Sequence, residues 1–336
     1  MNGKQRILSM IAGEALDALP FMPITMMFAG DCSGIAYGEY ARDYRKLAEA
    51  QLRIAETFDT DYVSVISDPA REASDLGAAI EWFDNQPPAI IESRALIEDK
   101  ATLAKLEVPD PHAGERMRDR VAGAAMLAER AGSTHIVEGW IEGPCAMAAD
   151  LRGVNTLMLD FYDDPGFVED LFEFVMEMEF RFAKAQVEAG ATLMGIGDAA
   201  ASLIGPKLYE QHVYPAECRL IERVKGLGVP VRLHICGNTR RIAGLMSKTG
   251  AEIVDLDFLT PMGEARAASG PDQVLLGNID PVRALRDGTP ESITAALEEC
   301  WQAAGPRWIC GAGCEVPRGT PHENLLAMAR FARSRS

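Results

Sequence analysis

The chain has 336 residues, of which 48% are hydrophobic and 25% charged, a composition typical of a globular protein with a full core. Its formal net charge of −17 argues against a nucleic-acid partner, because phosphate recognition depends on clustered lysine and arginine. The seven cysteines are an odd number spread through a long chain, which excludes a secreted disulfide framework and favours a reducing cytoplasm.

The first predicted elements are an amphipathic helix and a short apolar run. The opening segment MNGKQRILSMIAGEALD has no small-residue cleavage site, so we predict a helix and not a signal peptide. The run from Ala18 to Gly30 spans about 13 residues and contains Pro20 and Pro23, too short and too broken to cross a bilayer. We therefore expect a soluble, cytoplasmic protein without membrane contact.

Short β-rich runs alternate with long helical patterns along the rest of the chain. Eight runs predict strands, at 21–28, 62–67, 135–140, 192–196, 229–234, 252–256, 273–276 and 308–310. Amphipathic helices with proline in the first turn are predicted at 165–189, 206–225, 290–304 and 321–334. The alternation predicts an α/β fold, a (β/α)8 TIM barrel with helical N-terminal additions that forms one domain over residues 1–336.

The region 36–121 is helix-rich and long for a single strand–helix unit of a barrel. We predict an insertion within it that lies over the mouth of the barrel, where the active sites of such enzymes are found. Polar side chains cluster where the predicted strands end: Asp68, Glu72, Glu138, Glu142, Asp198, His234, Cys236, Asp257, Asn278, Asp280 and Cys314.

The segment VPVRLHICGNT contains the strongest chemical signal. His234 and Cys236 are two residues apart at the end of a predicted strand, so both side chains project from the same face. Cys314, at the end of the last strand, offers a third ligand. Two thiolates and an imidazole suit zinc better than magnesium or calcium, and three protein ligands with one open position are typical of catalytic zinc. The other five cysteines are interpreted as packing residues.

Four further residues near the strand ends have both functional and structural interpretations. Asp198 lies beside the strand of His234, where its carboxylate either acts at the metal site or caps a helix. Asn238, Asn278 and Asp280 are candidates for cofactor binding. The alternative for Asn238 is a simple turn, and for Asp280 it is the cap of a helix begun by Pro281.

The motifs HICGNT, LLGNIDPVRALRDGTPESI and GCEVPRGTP, with Asp17-Ala18-Leu19-Pro20 after the opening helix, resemble the uroporphyrinogen decarboxylase superfamily over nearly the full length. The His-x-Cys…Cys pattern is similar to its zinc-dependent branch of methylcobamide:coenzyme M methyltransferases. This resemblance implies a barrel whose zinc, bound by His234, Cys236 and Cys314, activates a thiol as acceptor of a methyl group from a corrinoid. It also implies an acidic residue near the site, which Asp198 matches.

The remaining expectations concern partners and roles. The chain has no Asp-x-His-x-x-Gly segment, which corrinoid-binding modules use, so we predict that a separate protein carries the corrinoid. Whether the chain forms a homodimer stays open. Glu138 is our second catalytic candidate. For both Glu138 and Glu142 three interpretations stay open: a fourth zinc ligand, an acid–base group, or neither.

Three functional alternatives stay open. Porphyrinogen decarboxylation is disfavoured because no lysine or arginine occurs between Arg6 and Arg42, where that enzyme keeps an arginine motif. Methyl transfer in the opposite direction, from a small methylated substrate to a corrinoid protein, fits the same residues. The third alternative is a protein that only binds or chaperones a corrinoid.

Overall fold

The computed structural model describes residues 1–335 and is built around a parallel β-sheet. The strands are, in chain order, β1 (Tyr62–Ser64), β2 (Ile80–Glu81), β3 (Ala89–Ile90), β4 (Ile136–Glu142), β5 (Leu193–Gly197), β6 (Val231–Ile235), β7 (Ile253–Leu256), β8 (Val274–Leu276) and β9 (Trp308–Ile309). Seven of them form one sheet in the order β1-β4-β5-β6-β7-β8-β9, and every adjacent pair is parallel. Strands β2 and β3 form a separate antiparallel hairpin.

Helices connect the strands and cover the sheet. They are α1 (Gly3–Ala12), α2 (Met27–Ser33), α3 (Tyr37–Arg42), α4 (Tyr44–Phe58), α5 (Arg71–Asp75), α6 (Arg116–Ala131), α7 (Pro144–Arg152), α8 (Val154–Asp163), α9 (Pro165–Glu188), α10 (Gly205–Leu208), α11 (Tyr214–Lys225), α12 (Ala243–Met246), α13 (Met262–Ser269), α14 (Pro290–Ala304) and α15 (His322–Arg333). Every residue of the seven sheet strands is buried, as expected for parallel strands with helices outside and packed side chains inside.

Local sequence explains where the long helices begin. Helix α9 has proline at its first position, and the Asp164 carboxylate accepts a hydrogen bond from the Phe167 N–H at 3.2 Å. Helix α14 begins with a capping box in which the side chains of Thr289 and Ser292 each accept from the other's backbone N–H. The predicted start and end of α14 are both confirmed, and those of α9 are correct to one residue.

The predicted first strand, 21–28, is wrong. Only Phe21 makes a ladder contact, a single parallel bridge to Cys310, and its carbonyl accepts from the Asp61 N–H at 3.0 Å. Pro20 and Pro23 lack the N–H groups that a continuous ladder needs, and helix α2 already begins at residue 27. The Phe21 segment therefore lies between β9 and the residues before β1 without being a regular strand.

One other prediction needs correction, and the predicted insertion can be described in more detail. The helix predicted at 206–225 consists of α10, a π-helical turn at Tyr209–Val213, and α11, because Pro215 cannot donate an α-helical hydrogen bond. Within 36–121, α4 and β1 belong to the regular strand–helix alternation. The irregular part comprises α5, the β2–β3 hairpin and two 3-10 turns at Glu92–Arg94 and Lys100–Lys105.

The described residues form one extensive hydrophobic cluster that joins the sheet interior to the surrounding helices. A second, small cluster of Ile24, Ile66 and Trp140 lies at the carboxyl end of the sheet. Within residues 1–335, no helix has both the length and the apolar character required to cross a membrane.

Candidate metal centre

The structure brings His234, Cys236 and Cys314 together at the carboxyl end of the sheet. The Nε2 atom of His234 lies 2.9 Å from the Cys236 Sγ and 4.0 Å from the Cys314 Sγ, and the two sulfur atoms are 3.7 Å apart. In residues 1–335 these three form a group of potential ligands whose atoms all lie within 4.8 Å of one another. Cys236 directly follows β6, so the strand fixes the relative position of two ligands.

The dimensions of this triangle fit zinc. Tetrahedral zinc with Zn–S bonds of about 2.3 Å and a Zn–N bond of about 2.0 Å places its ligand atoms about 3.5 to 3.8 Å apart. The observed S–S separation of 3.7 Å lies in that range, and the two N–S separations, 2.9 and 4.0 Å, lie on either side of it. A small rotation of the imidazole would equalise the two N–S distances. The donor set of one nitrogen and two sulfurs is also one that zinc prefers.

A buried carboxylate on the neighbouring strand orients the histidine. Asp255, on β7, is the register partner of His234, and its Oδ2 lies 2.9 Å from the His234 Nδ1. A carboxylate at this distance favours the proton on Nδ1, which leaves the Nε2 lone pair free for a metal. Arg232 binds the same Oδ2 through Nε at 3.1 Å and Nη2 at 2.7 Å, and also binds Glu138 at 2.9 Å.

Without a metal, the thiols of Cys236 and Cys314 have pKa values shifted in opposite directions. The hydrogen bond from the Cys236 thiol lowers the pKa of Cys314 to about 4, against burial, which raises it, and His234 lowers it further. The pKa of Cys236 is raised above its usual range by the same bond to Cys314 and by burial. One sulfur is therefore a ready thiolate, which is the form that ligates metal.

The three candidate ligands border a cavity of about 180 Å³. Its apolar wall includes Trp140, whose indole covers β5 where Gly195 and Gly197 leave room: a Cβ atom on Gly195 would lie 2.2 Å from the ring. The charged residues in the cavity lining are Asp68, Arg71, Glu142 and Glu315. The site is thus a small, mostly apolar cavity with three candidate metal ligands at one side.

The structure places Asp198 away from this cavity. Gly197 and Ala199 line the cavity, whereas the Asp198 carboxylate accepts hydrogen bonds from the N–H groups of Cys145 at 3.3 Å and Ala146 at 2.6 Å. Those donors belong to the first turn of α7, so the carboxylate stabilises that helix end. Burial raises the pKa of Asp198 to about 6, although the Ala146 N–H lowers it. A direct role in catalysis stays a prediction.

The second catalytic candidate, Glu138, is completely buried on β4 and is bound to Arg232. It does not line the cavity, and Glu142, four residues later on the same face, does. A path of three polar contacts joins Glu138 to His234 through Arg232 and Asp255. Glu138 therefore does not touch the candidate metal ligands, and its role in catalysis stays a prediction.

The three predicted cofactor-binding residues make local contacts. Asn238 is exposed, and its Oδ1 accepts from the Arg240 N–H at 3.3 Å. Asn278 is buried and donates to the carbonyls of Asp257 and Thr260 at 2.9 and 2.6 Å. Asp280 caps the π-helical segment Pro281–Arg286, as the structural alternative predicted. Contact between these residues and a cofactor stays a prediction.

Sequence reasoning missed Asp255, Arg232, Arg71, Trp140 and Glu315. The signal for Asp255 was available, because an acid in the apolar run EIVDLD of a predicted strand must be paired when buried. Arg232 and His234 are likewise polar residues within an apolar predicted strand, and their spacing of two places both on one face. Neither pattern identifies the partner, since that depends on the register between strands that are distant in sequence.

Comparison with known proteins gives the family. Residues 2–335 match the family described as Uroporphyrinogen decarboxylase (URO-D), and the chain belongs to this family, which confirms the resemblance inferred from the motifs. A uroporphyrinogen decarboxylase of Streptomyces avermitilis is 30% identical over 301 residues, covering 86% of this chain and 81% of the relative. A methylcobamide:CoM methyltransferase, MtbA, of Methanosarcina mazei is 27% identical over 340 residues, covering 98% of this chain and 97% of the relative.

A solved structure described as a methyltransferase from Methanosarcina mazei superposes with a TM-score of 0.90. It is 23% identical and covers 99% of this chain and 98% of that chain. This match shows that the two chains share their α/β fold over the full length.

Proposed function

We propose that this protein transfers a methyl group between a corrinoid and a small thiol at a zinc ion held by His234, Cys236 and Cys314. The observation that carries the proposal is the convergence of three soft ligands beside a small cavity. The full-length similarity to a relative named methylcobamide:CoM methyltransferase supports it. Zinc in this position would lower the pKa of a bound thiol and hold it as a thiolate.

The chain's own residues prepare the site for this reaction. Asp255 holds the proton on the His234 Nδ1, while Arg232 balances the Asp255 charge. The walls formed by Ile24, Ile66 and Trp140 exclude water from the reacting sulfur. In the direction towards the thiol, the thiolate lone pair forms the new S–C bond. The electron pair of the broken cobalt–carbon bond stays with the corrinoid, and the thiol proton leaves to solvent.

We further propose that the corrinoid arrives on a separate protein. Large apolar side chains are exposed on the loops that directly follow β5, β7 and β8: Leu203 is 64% exposed, Phe258 37%, Leu259 46% and Val282 40%. Phe258 also packs against Gly313, next to Cys314, and Ala199 at the start of the Leu203 segment lines the cavity, so these two segments lie near the candidate metal centre. Exposed apolar residues around a site are typical of surfaces that bind a partner. Leu203→Asp should raise the KM for a methylated corrinoid protein without changing that for free methylcobalamin. An equal rise for both would refute this docking surface.

The Phe21 segment supports a closed (β/α)8 barrel, which we propose as the complete architecture. Its backbone bonds join β9, through Cys310, to the residue that precedes β1, so it occupies the place of the missing eighth strand. An experimental structure in which solvent separates β1 from β9 would refute closure.

Decarboxylation of a porphyrinogen is less well supported by the cavity. A volume of about 180 Å³ is small for a tetrapyrrole, and the guanidinium that lines it, Arg71, is bound to protein acceptors. A cytoplasmic location agrees with the seven free cysteines of the described chain. A homodimer remains an expectation that sedimentation analysis would test.

The proposed function is tested by incubating the protein with methylcobalamin and a panel of thiols while recording the cobalamin spectrum. We expect thiol-dependent demethylation that requires one zinc per chain and is lost in Cys314→Ser. Cys218→Ser, which changes a half-buried cysteine on α11 outside the cluster, is the matched control and should retain activity. Full activity of the metal-free protein would contradict the proposal.

A further inference from the structure

The charges around the cavity are unbalanced towards the negative. Three carboxylates, Asp68, Glu142 and Glu315, line the cavity with one guanidinium, Arg71. A zinc ion held by the candidate ligands would add no charge to this balance, because two thiolates would neutralise its two positive charges. A ligand held at the metal therefore meets a wall with more carboxylates than cations.

Arg71 is not available to bind an anionic ligand. Its Nη1 donates to the Asp68 carbonyl, and its Nη2 donates to Glu142 at 2.9 Å and Glu72 at 3.3 Å. The Nε atom is buried without a partner, and the whole side chain is 1% exposed. Asp68 is paired at 2.6 Å with Arg116, so that second guanidinium is also engaged.

One carboxylate behind this wall has no cation paired with it in the described chain. Glu179 is fully buried, and neither of its carboxylate oxygens has a hydrogen-bond partner. Burial and the nearby Glu72 raise the pKa of Glu142 to about 8, although Arg71 lowers it. Glu142 is 6% exposed, and its Oε1 accepts the hydrogen bond from Arg71. Its Oε2 is therefore free to contact a ligand. An arriving cation would supply the charge that these carboxylates lack.

The apolar part of the lining also favours a cation. The indole of Trp140 lines the cavity, and the face of a tryptophan ring attracts an ammonium group. The apolar side chains of Ile24 and Ile66 beside it offer no hydrogen-bond donor to a sulfonate or carboxylate. An anion placed against these two side chains would lose its hydration without gaining a partner.

We propose that the small thiol handled at this site carries a positively charged amine, and that the cavity rejects anionic thiols such as 2-mercaptoethanesulfonate. The proposal rests on the proposed function and specifies its substrate class. We place the amine beside Glu142, Glu315 and Trp140, which all line the cavity, while the sulfur reaches the metal. This specificity differs from the CoM named in the description of the Methanosarcina relative.

The test uses three thiols that share the HS–CH2–CH2– unit and differ in charge: cysteamine, 2-mercaptoethanol and 2-mercaptoethanesulfonate. With the zinc-loaded protein and methylcobalamin at one fixed pH, we expect kcat/KM to fall in that order, with cysteamine preferred over the sulfonate by about 100-fold. Isothermal titration calorimetry of each thiol without methylcobalamin gives the same order as dissociation constants and does not depend on turnover.

Variants remove the intrinsic difference in thiol reactivity from the comparison. Glu142→Gln and Glu315→Gln should each reduce the ratio of cysteamine to sulfonate by about tenfold, which corresponds to about 1.4 kcal/mol. Glu56→Gln, an exposed residue on α4, is the matched control and should leave the ratio unchanged. Two carboxylates are tested so that one variant still examines the charge assignment if the other does not fold.

The outcomes separate the two proposals. Faster transfer to the sulfonate than to cysteamine, or an unchanged ratio in both glutamine variants, overturns the charge assignment and leaves methyl transfer intact. Failure of all three thiols to demethylate methylcobalamin contradicts the proposed function, and the calorimetric order then decides the charge assignment alone.

Discussion

Replacing Asp255 with asparagine should weaken zinc binding without removing a zinc ligand. The Asp255 Oδ2 contacts the His234 Nδ1 at 2.9 Å and the two Arg232 nitrogens at 3.1 and 2.7 Å, and the residue is 1% exposed. The amide has nearly the same shape but carries no charge, so the imidazole loses the group that fixes its Nδ1 proton. Removing such a partner typically costs about 10- to 100-fold in metal affinity, or about 1.4 to 2.7 kcal/mol.

The matched control is Glu138→Gln, which removes the other carboxylate of Arg232 without touching His234. Both substitutions break a buried ion pair, so both should lower the free energy of unfolding, by about 3 kcal/mol. Only Asp255→Asn should weaken zinc binding, measured by competition with a fluorescent chelator. Equal loss of zinc affinity in the two variants would refute the role of Asp255 in orienting the histidine and assign the effect to Arg232.

Three further substitutions test the surroundings of the site. Asp198→Asn should lower the free energy of unfolding by about 1 kcal/mol, because it weakens the cap of α7, and should leave the zinc content unchanged. A tenfold slower rate of methyl transfer at unchanged stability would instead show that Asp198 acts directly in catalysis. Glu179→Gln should stabilise the protein at pH 8 more than at pH 5 in denaturant titrations. A carboxyl whose pKa is raised above its ordinary 4.5 favours folding at low pH and loses that contribution as the pH rises, so a parallel shift at both pH values contradicts the assignment. Gly195→Ala should displace Trp140 and lower the free energy of unfolding by about 1 to 3 kcal/mol. The matched control is Gly166→Ala in α9, where a Cβ has space, and it should leave the stability nearly unchanged. Equal losses of stability in the two variants would refute the packing argument.

The grouping of the three candidate metal ligands was predictable because their geometry is local. Strand alternation alone brings His234 and Cys236 to one face, and the equivalent end of the last strand brings Cys314 to the same edge of the sheet. The seven sheet strands were predictable for a similar reason, since buried parallel strands are short apolar runs between longer helices.

The parts that failed depend on contacts between distant segments. The apolar run 21–28 has the composition of a strand, but its two prolines limit it to one bridge, at Phe21. Asp198 follows the end of β5, where the alternation of side chains along a strand no longer predicts their direction. The sequence therefore could not distinguish its observed helix-capping position from a position at the metal. The pairing of His234 with Asp255 requires the register between β6 and β7, which no local pattern contains.

X-ray absorption spectroscopy of the zinc-loaded protein, recorded with and without cysteamine, tests the central claim most directly. We predict a zinc ion bound by one nitrogen and the two sulfurs of Cys236 and Cys314, with a third sulfur added at about 2.3 Å when the thiol binds. An unchanged coordination shell at saturating thiol, or zinc bound without these cysteines, would contradict thiol activation at this centre.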